Sequence, residues 1–253
     1  MKVLLTGASG RLGTELMTLL PAQVTLAGDP VTVAGPSRAA LDVTDRDAFV
    51  AATEGWGYDV IVHAAAYTDV GRAEKDRGPC WRANVVGTRN AAAAAVHSGA
   101  KLVHISTDYV FWGDAGGYAE DDTPGPVRNY YALTKLVAEE AARSAPNHLI
   151  IRTSFRPRTW PYPEAYGDVY TSQDYVDVIA PEVALAVARA QHIDFDIVHI
   201  GTHRKSVLEL ARRRSPDVRA GTRASAAVAL PADVSLDLGR WTALKQGWER
   251  AQQ

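Results

Sequence analysis

Short apolar runs recur along the chain and predict buried β-strands. The first, KVLL at 2–5, stops at Gly7, and a helical pattern of Leu12, Leu16 and Leu19 follows until Pro21 ends it. Further strands are predicted at 31–35, 59–65, 101–106, 148–154 and 196–202, and further helices at 45–54, 81–98, 130–144, 181–191 and 205–214. Strands that alternate with helices are typical of a doubly wound, mostly parallel sheet, so we expect a Rossmann-type α/β fold.

Length, charge and cysteine content narrow the class of protein. A chain of 253 residues suits one large domain, or one domain with a small appendage. The net charge of −2 gives no reason to expect nucleic acid or an anionic membrane as a partner. Cys80 is the single cysteine, so no internal disulfide can form, and the N-terminus lacks the long apolar stretch of a signal peptide. We therefore expect a cytoplasmic protein without a membrane span.

The segment TGASGRLG places Gly7, Gly10 and Gly13 at three-residue spacing between a predicted strand and a predicted helix. In that context a tight turn lets backbone amides reach a pyrophosphate, and the helix N-terminus supplies partial positive charge. A glycine-rich turn without a ligand is the alternative interpretation. The position after the first strand of an alternating chain favours a dinucleotide site.

The end of the second strand decides between the two nicotinamide cofactors. NAD sites usually carry an acidic residue there, which binds the ribose 2′-hydroxyl, whereas an arginine suits the 2′-phosphate of NADP. If the strand is VTVAGPSR, its end carries Arg38 and NADP(H) is expected; if it is QVTLAGD, Asp29 would favour NAD(H). We prefer the first register, and therefore NADP(H), because ALDVTD begins directly after it.

Two adjacent tyrosines in the segment NYYALTK differ in what they can reach. On a helix, residues four apart share a face, so Tyr131 can lie beside Lys135 while Tyr130 is rotated away from it. Such spacing is common by chance, so it gains meaning only from the rest of the chain.

Several segments occur in an order and at spacings that resemble the extended short-chain dehydrogenases/reductases. They are TGASGRLG, LDVTD, DVIVHAAAYTDVGRAE, RANVVGTRN, ISTDYVF, YAEDDTPGPVRNYYALTK and IIRTS. Within that family they most resemble the dTDP-4-dehydrorhamnose reductase branch, over about residues 1–155. The resemblance implies an NADP-binding Rossmann domain over 1–155, and a shortened substrate-side part over 156–253, some of which returns to the sheet.

The resemblance also implies which residues hold the cofactor. They are Gly7, Ser9, Gly10, Arg11 and Leu12 at the pyrophosphate, Asp42 and Val43 at the adenine, and Ala64, Ala65 and Ala66 beside the ribose.

A catalytic set of Thr107, Tyr131 and Lys135 is implied in the same way. Lys135 would bond the nicotinamide ribose and lower the pKa of Tyr131, which would give its proton to a carbonyl oxygen. Thr107 would donate a hydrogen bond to the same oxygen. Asp108 and Phe155 would also contact the substrate.

The sequence departs from the family in particular places. Gly71 stands where an acidic residue is usual, and Phe155 stands where the branch often has a tryptophan against the substrate. After RTSF the loop at 156–168, RPRTWPYPEAYGD, replaces a helix that covers the substrate. Trp160 and Tyr162 in that loop either cover the substrate or pack on the shortened back part.

The pattern favours an NAD(P)H-dependent reductase of a carbonyl such as a 4-keto sugar nucleotide. Two alternatives stay open: a nucleotide-sugar epimerase of the same superfamily, and a dinucleotide-binding regulatory subunit without turnover. A homodimer is expected by analogy with the family. His63 and His104 lie in apolar strands and are interpreted as core residues, so no metal site is predicted.

Overall fold

A six-stranded parallel sheet forms the centre of the molecule, which a computed structural model describes over residues 1–226 and 230–251. In chain order the described strands are β1 Lys2–Thr6, β2 Thr32–Ala34, β3 Val60–His63, β4 Lys101–Ser106, β5 His148–Arg152, β6 Phe155–Arg156, β7 Glu164–Tyr166, β8 Tyr170–Thr171, β9 Asp174–Tyr175, β10 Ile197–His199, β11 Lys205–Ser206 and β12 Arg219–Gly221. The described α-helices are α1 Arg11–Leu19, α2 Arg46–Ala51, α3 Val70–Ala73, α4 Arg77–Trp81, α5 Gly87–Ser98, α6 Tyr130–Ala142, α7 Val176–Ala188, α8 Val207–Arg212 and α9 Gly239–Ala251, and a π-helical turn joins α4 to α5.

The strand order of the main sheet is β2-β1-β3-β4-β5-β10, and every pairing in it is parallel. The chain leaves β1 toward β2 on one side and returns to β3 on the other, so the order reverses between β1 and β3. In an open α/β sheet, ligands bind at the carboxyl ends of the strands beside such a reversal. The expected Rossmann-type fold is confirmed.

Helices cover both faces of this sheet, which is why its strands read as continuous apolar runs. On one face α1 and α7 supply Leu12, Leu16 and Val183 to the main hydrophobic core. On the other face α2 supplies Phe49, and α5 supplies the alanines of the run at 91–95, four of which are buried. Small alanine side chains allow this helix to pack closely on the sheet.

The pairing of β2 decides between the two registers that the sequence left open. Thr32, Val33 and Ala34 pair with Lys2, Val3 and Leu4, which confirms the strand that ends toward Arg38. Asp29 precedes β2 and lies in a turn in which its backbone amide bonds the Thr25 hydroxyl, so it stands before the amino end of the strand.

The predicted start of the helix at 181–191 is wrong. It begins at Val176, and Pro181 lies inside it. A proline in a helix lacks the N–H that would bond the carbonyl four residues earlier, here that of Asp177. The helix continues through this single missing bond because its apolar residues are packed against α1 and the sheet.

The back part of the chain contains short strands that the sequence did not reveal. In the described residues β6 pairs with β9, β7 with β12 and β8 with β11, while β10 joins the main sheet beside β5. The segment expected to be a loop at 156–168 therefore includes part of β6 and all of β7. No helix in residues 1–226 and 230–251 is long and apolar enough to cross a membrane.

Candidate active site

The glycine-rich segment makes a turn that brings β1 against the end of β3. Gly7 has a φ of +72°, and a Cβ built on it would lie 2.7 Å from the backbone nitrogen of Ala65. A Cβ on Gly13 would overlap the carbonyl oxygen of Gly7. Both positions therefore require glycine, one for its backbone conformation and both for the close approach of chain segments.

Helix α1 begins directly after this turn, with Gly10 as its extended N-cap. No side chain in the described part of the chain caps its first turn, so the N–H groups there are available to an anion. Ser9 and Arg11 are exposed beside them, whereas the Leu12 side chain is buried in the main core. Leu12 can serve a pyrophosphate only through its backbone N–H.

Arg38, Asp42 and Val43, which are expected at the adenosine half of the cofactor, follow the end of β2. Arg38 is 88% exposed, and its guanidinium lies 3.9 Å from the carboxylate of Asp42. Hydrogen bonds from the backbone and hydroxyl of Thr44 lower the pKa of Asp42. The Val43 carbonyl oxygen accepts a hydrogen bond from the Asn90 amide at 2.9 Å.

Ala64, Ala65 and Ala66 follow β3 and run past Gly7. The Ala65 N–H donates to the Thr6 hydroxyl at 3.4 Å, which ties this segment to the end of β1. The small side chains here let this segment run close past the glycine turn.

Thr107 and Tyr131 meet at the carboxyl end of β4. The Thr107 hydroxyl accepts from the Tyr109 N–H at 3.2 Å and donates to Asp108 Oδ1 at 3.0 Å. The ring of Tyr131 stands edge-on to the ring of Tyr109, with 6.5 Å between centroids. The Thr107 side chain also acts to lower the pKa of Tyr131.

Tyr130 lies in a different environment from its neighbour. Its backbone N–H donates to Glu74 Oε1 at 2.7 Å, and the guanidinium of Arg77 lies 5.0 Å from its ring centroid. Helix α6 starts at Tyr130, after the Asn129 side chain caps it by accepting from the Ala132 N–H. The first turn of the helix thus directs the two tyrosines to different neighbours.

Burial shifts the pKa values of Tyr131 and Asp108. Burial raises the pKa of Tyr131, and Asp108 and Tyr109 raise it further, while the Thr107 hydrogen bond opposes them. The lowering of this pKa by Lys135 stays a prediction. Burial also raises the pKa of the Asp108 carboxyl to about 7.

The Lys135 side chain extends toward strand β4. Its ammonium donates to the Ile105 carbonyl oxygen at 2.7 Å and lies 3.2 Å from Nε2 of His104. Burial lowers the pKa of Lys135 to about 8, against the opposing charge of Glu139. His104, interpreted from the sequence as a core residue, is buried as expected but also contacts the candidate catalytic lysine.

Comparison with known proteins places this arrangement in a family. The family model described as the RmlD substrate binding domain matches residues 1–164. The chain belongs to this family. The dTDP-4-dehydrorhamnose reductase of Mycobacterium tuberculosis (strain CDC 1551 / Oshkosh) is 35% identical over 160 residues, which are 61% of this chain and 50% of that protein. The chain therefore spans about half the length of the curated relatives it matches.

Solved structures extend the similarity of fold to nearly the whole chain. The dTDP-4-dehydrorhamnose reductase from Bacillus anthracis str. Ames, in complex with NADP, is 26% identical with a TM-score of 0.81, covering 98% of this chain and 96% of that one. A hypothetical dTDP-4-dehydrorhamnose reductase from Sulfolobus tokodaii is 30% identical with a TM-score of 0.80, covering 96% and 94%.

A buried ion pair holds α6, and with it the candidate site residues Tyr131 and Lys135, onto the sheet. Glu139 accepts from Arg152 Nε at 3.0 Å and from Nη2 at 2.8 Å, and both side chains are about 1% exposed. The Ser106 hydroxyl donates to the same carboxylate at 2.5 Å. Sequence spacing does not reveal this network, because its members lie on three different elements.

The loop at 156–168 separates its two candidate covering residues. Trp160 is buried in a small core with Ala165, Val169 and Val207, which favours packing on the back part over a covering role for its ring. Tyr162 remains 52% exposed. Phe155 packs against the main hydrophobic core, and its expected contact with a substrate stays a prediction.

Proposed function

We propose that this protein is an NADPH-dependent reductase that converts the 4-keto group of a dTDP-sugar to an alcohol. The observation that carries the proposal is the grouping of Thr107, Tyr131 and Lys135 at the end of β4, where Tyr109 contacts the first two and Lys135 bonds the Ile105 carbonyl oxygen. The RmlD family match and relatives named dTDP-4-dehydrorhamnose reductase support the substrate class.

The cofactor fits the residues at the edge of the sheet where the strand order reverses between β1 and β3. The tight turn at Gly7 and the start of α1, whose first turn no side chain in the described residues caps, suit a pyrophosphate. The exposed guanidinium of Arg38 suits a 2′-phosphate, which supports NADP(H) over NAD(H). When bound, NADPH supplies the hydride for the reduction.

Tyr131 is the proton donor in this proposal. Its raised pKa keeps the phenol protonated at neutral pH, as a donor in the reductive direction requires. The proton passes from the hydroxyl to the carbonyl oxygen as that oxygen gains negative charge. Lys135 keeps its ammonium below the phenol up to about pH 8, where it is available to a ribose hydroxyl.

Asp108 controls the hydrogen of Thr107. While Asp108 is ionised it accepts that hydrogen at 3.0 Å, so Thr107 cannot donate it to a substrate. Once protonated, with a pKa of about 7, Asp108 can itself donate to Thr107. The Thr107 hydrogen is then free to bond the carbonyl oxygen and stabilise its developing charge.

Net consumption of NADPH tests the proposal. We expect the full chain to oxidise NADPH when dTDP-4-dehydrorhamnose is added, with one alcohol formed for each NADPH consumed. Isomerisation of the sugar without loss of NADPH would instead identify an epimerase. Cofactor binding without turnover of any keto-sugar nucleotide would identify a regulatory subunit.

A further inference from the structure

Arg156, at the end of β6, lies between two arginines that each pair with a glutamate, Arg152 and Arg158. Within residues 1–226 and 230–251 the guanidinium of Arg156 forms no ion pair, and its Nε is shut off from solvent without a hydrogen-bond partner. A buried N–H without an acceptor is unfavourable, so this one requires an explanation.

Aromatic rings, and not acceptors, hold this side chain in place. Its guanidinium lies 5.6 Å from the ring centroid of Trp160 and 5.7 Å from that of Tyr162. The two rings stand nearly perpendicular, at 75°, with 5.5 Å between centroids. Because Trp160 is anchored in its own small core, it fixes the guanidinium while leaving the N–H donors unused.

Strand β6 directs this cation toward the candidate reaction centre. Arg156 pairs with Tyr175 of β9, and Phe155 before it packs on the main core, so the alternation of a strand sends Arg156 to the opposite side. There its positive charge favours the ionised forms of Asp108 and Tyr109. The Tyr109 ring in turn contacts the ring of Tyr131.

Neutralising the Asp108 carboxylate does not explain the position of Arg156. The Asp108 carboxyl has a raised pKa, of about 7, in spite of Arg156, so the arginine leaves much of the burial penalty in place. No carboxylate in the described chain lies close enough to Arg156 for an ion pair. No hydrogen bond or ion pair in the described residues uses the Arg156 guanidinium, so it keeps its capacity to donate to an oxyanion.

We propose that Arg156 binds a phosphate oxygen of the substrate's diphosphate and orients the sugar nucleotide toward Tyr131. An arginine fork matches the geometry of phosphate oxygens, and the aromatic rings on either side limit its freedom before the ligand arrives. This assignment rests on the proposed function, because it takes the substrate to be a nucleotide sugar. The residue comes from the segment that replaces the expected substrate-covering helix.

Binding of thymidine diphosphate to the NADPH-saturated full chain, followed by titration calorimetry, tests the assignment. We expect Arg156→Gln to weaken this binding by about tenfold to a hundredfold, as the loss of a charge-assisted hydrogen bond implies. Arg156→Lys should recover part of the loss, since it keeps the charge without the fork. Arg158→Gln, two residues further on and 62% exposed, is the matched control and should bind as wild type does.

Thymidine and NADPH serve as the two further probes. Thymidine lacks the phosphates, so its affinity should be the same in wild type and Arg156→Gln. A parallel loss for thymidine would assign Arg156 a structural role and overturn the proposal. A loss of NADPH affinity would show that the arginine contacts the cofactor phosphates, which also overturns it.

Two other outcomes separate this proposal from the proposed function. If Arg156→Gln bound thymidine diphosphate as tightly as wild type, or wild type bound neither this probe nor inorganic pyrophosphate, the phosphate contact would be wrong even for a working reductase. If thymidine diphosphate affinity depended on Arg156 but no keto-sugar nucleotide oxidised NADPH, the reductase would be wrong and the phosphate contact would stand.

Discussion

Lys135 Nζ lies 3.2 Å from His104 Nε2, inside the sheet and beneath the candidate proton donor. Burial lowers the pKa of His104 well below its usual range, so the imidazole is neutral at physiological pH. The ammonium is therefore the donor, Nε2 is the acceptor, and the imidazole proton resides on Nδ1. A buried neutral histidine thus helps to keep the lysine charged.

This contact predicts how the rate depends on pH. On the alkaline side kcat/KM should fall first as Asp108 ionises near pH 7 and accepts the Thr107 hydrogen, and again as Lys135 loses its charge near pH 8. The second of these falls is the limb that reports on Lys135. His104→Leu removes an acceptor of the ammonium, which favours the neutral lysine and should move this limb about one pH unit lower. His104→Asn can keep an acceptor and should shift the limb less.

The groups that face Lys135 define the control for this measurement. They are Glu139 on its own helix, Cys80 on α4, and His63 and His104 on the strands. His97 is half-exposed on α5 and pairs with Glu54, so His97→Leu should leave the profile unchanged. An alkaline limb at the same pH in wild type and His104→Leu would contradict the role given to the histidine.

The buried pair of Glu139 and Arg152 predicts a large loss of stability on substitution. Glu139→Gln leaves the guanidinium without a countercharge, which should lower the free energy of unfolding by about 3–5 kcal/mol. Glu140 is the next residue on the same helix, 69% exposed and paired with Arg143 at 3.4 Å. Glu140→Gln should lower it by less than about 1 kcal/mol. Urea unfolding compares the two, and equal losses would show that the buried pair does not anchor α6.

Arg38 predicts the choice of cofactor. Arg38→Ala removes the cation suited to a 2′-phosphate, so the Kd for NADPH should rise about tenfold while the Kd for NADH stays constant. Asp29→Ala is the control, because Asp29 precedes the amino end of β2 and should affect neither. Fluorescence titration of both cofactors measures these constants. Tighter binding of NADH than NADPH by wild type would refute the NADP preference.

The pattern of apolar residues predicted the sheet. The runs at 31–35 and 59–65 contain β2 and β3, and the ends of these strands differ from the predicted ends by one or two residues. Helical spacing also separated Tyr131 from Tyr130, because helical geometry is local. It could not predict the pKa of Tyr131, which depends on burial and on the charges of Asp108 and Tyr109 from another element.

The other contacts that the sequence did not predict have the same physical cause. Lys135 bonds the Ile105 carbonyl oxygen and His104, and nothing in the spacing of NYYALTK distinguishes that from a contact with the tyrosine. Arg156 acquires its aromatic neighbours through short strands of the back part, where prolines hide the strand pattern. Contacts between distant segments decide both cases.

Turnover by two variants that each lack one oxygen atom tests whether Tyr131 is the proton donor. Tyr131→Phe removes only the hydroxyl at the end of β4, so kcat for NADPH oxidation with dTDP-4-dehydrorhamnose should fall by about 10²–10⁴ while NADPH affinity holds. Tyr130→Phe removes the same atom from a ring that packs under Arg77, and should turn over at nearly the wild-type rate. Melting temperatures should match in both. A Tyr131→Phe variant as fast as wild type, or a Tyr130→Phe variant that is inactive, would contradict the account.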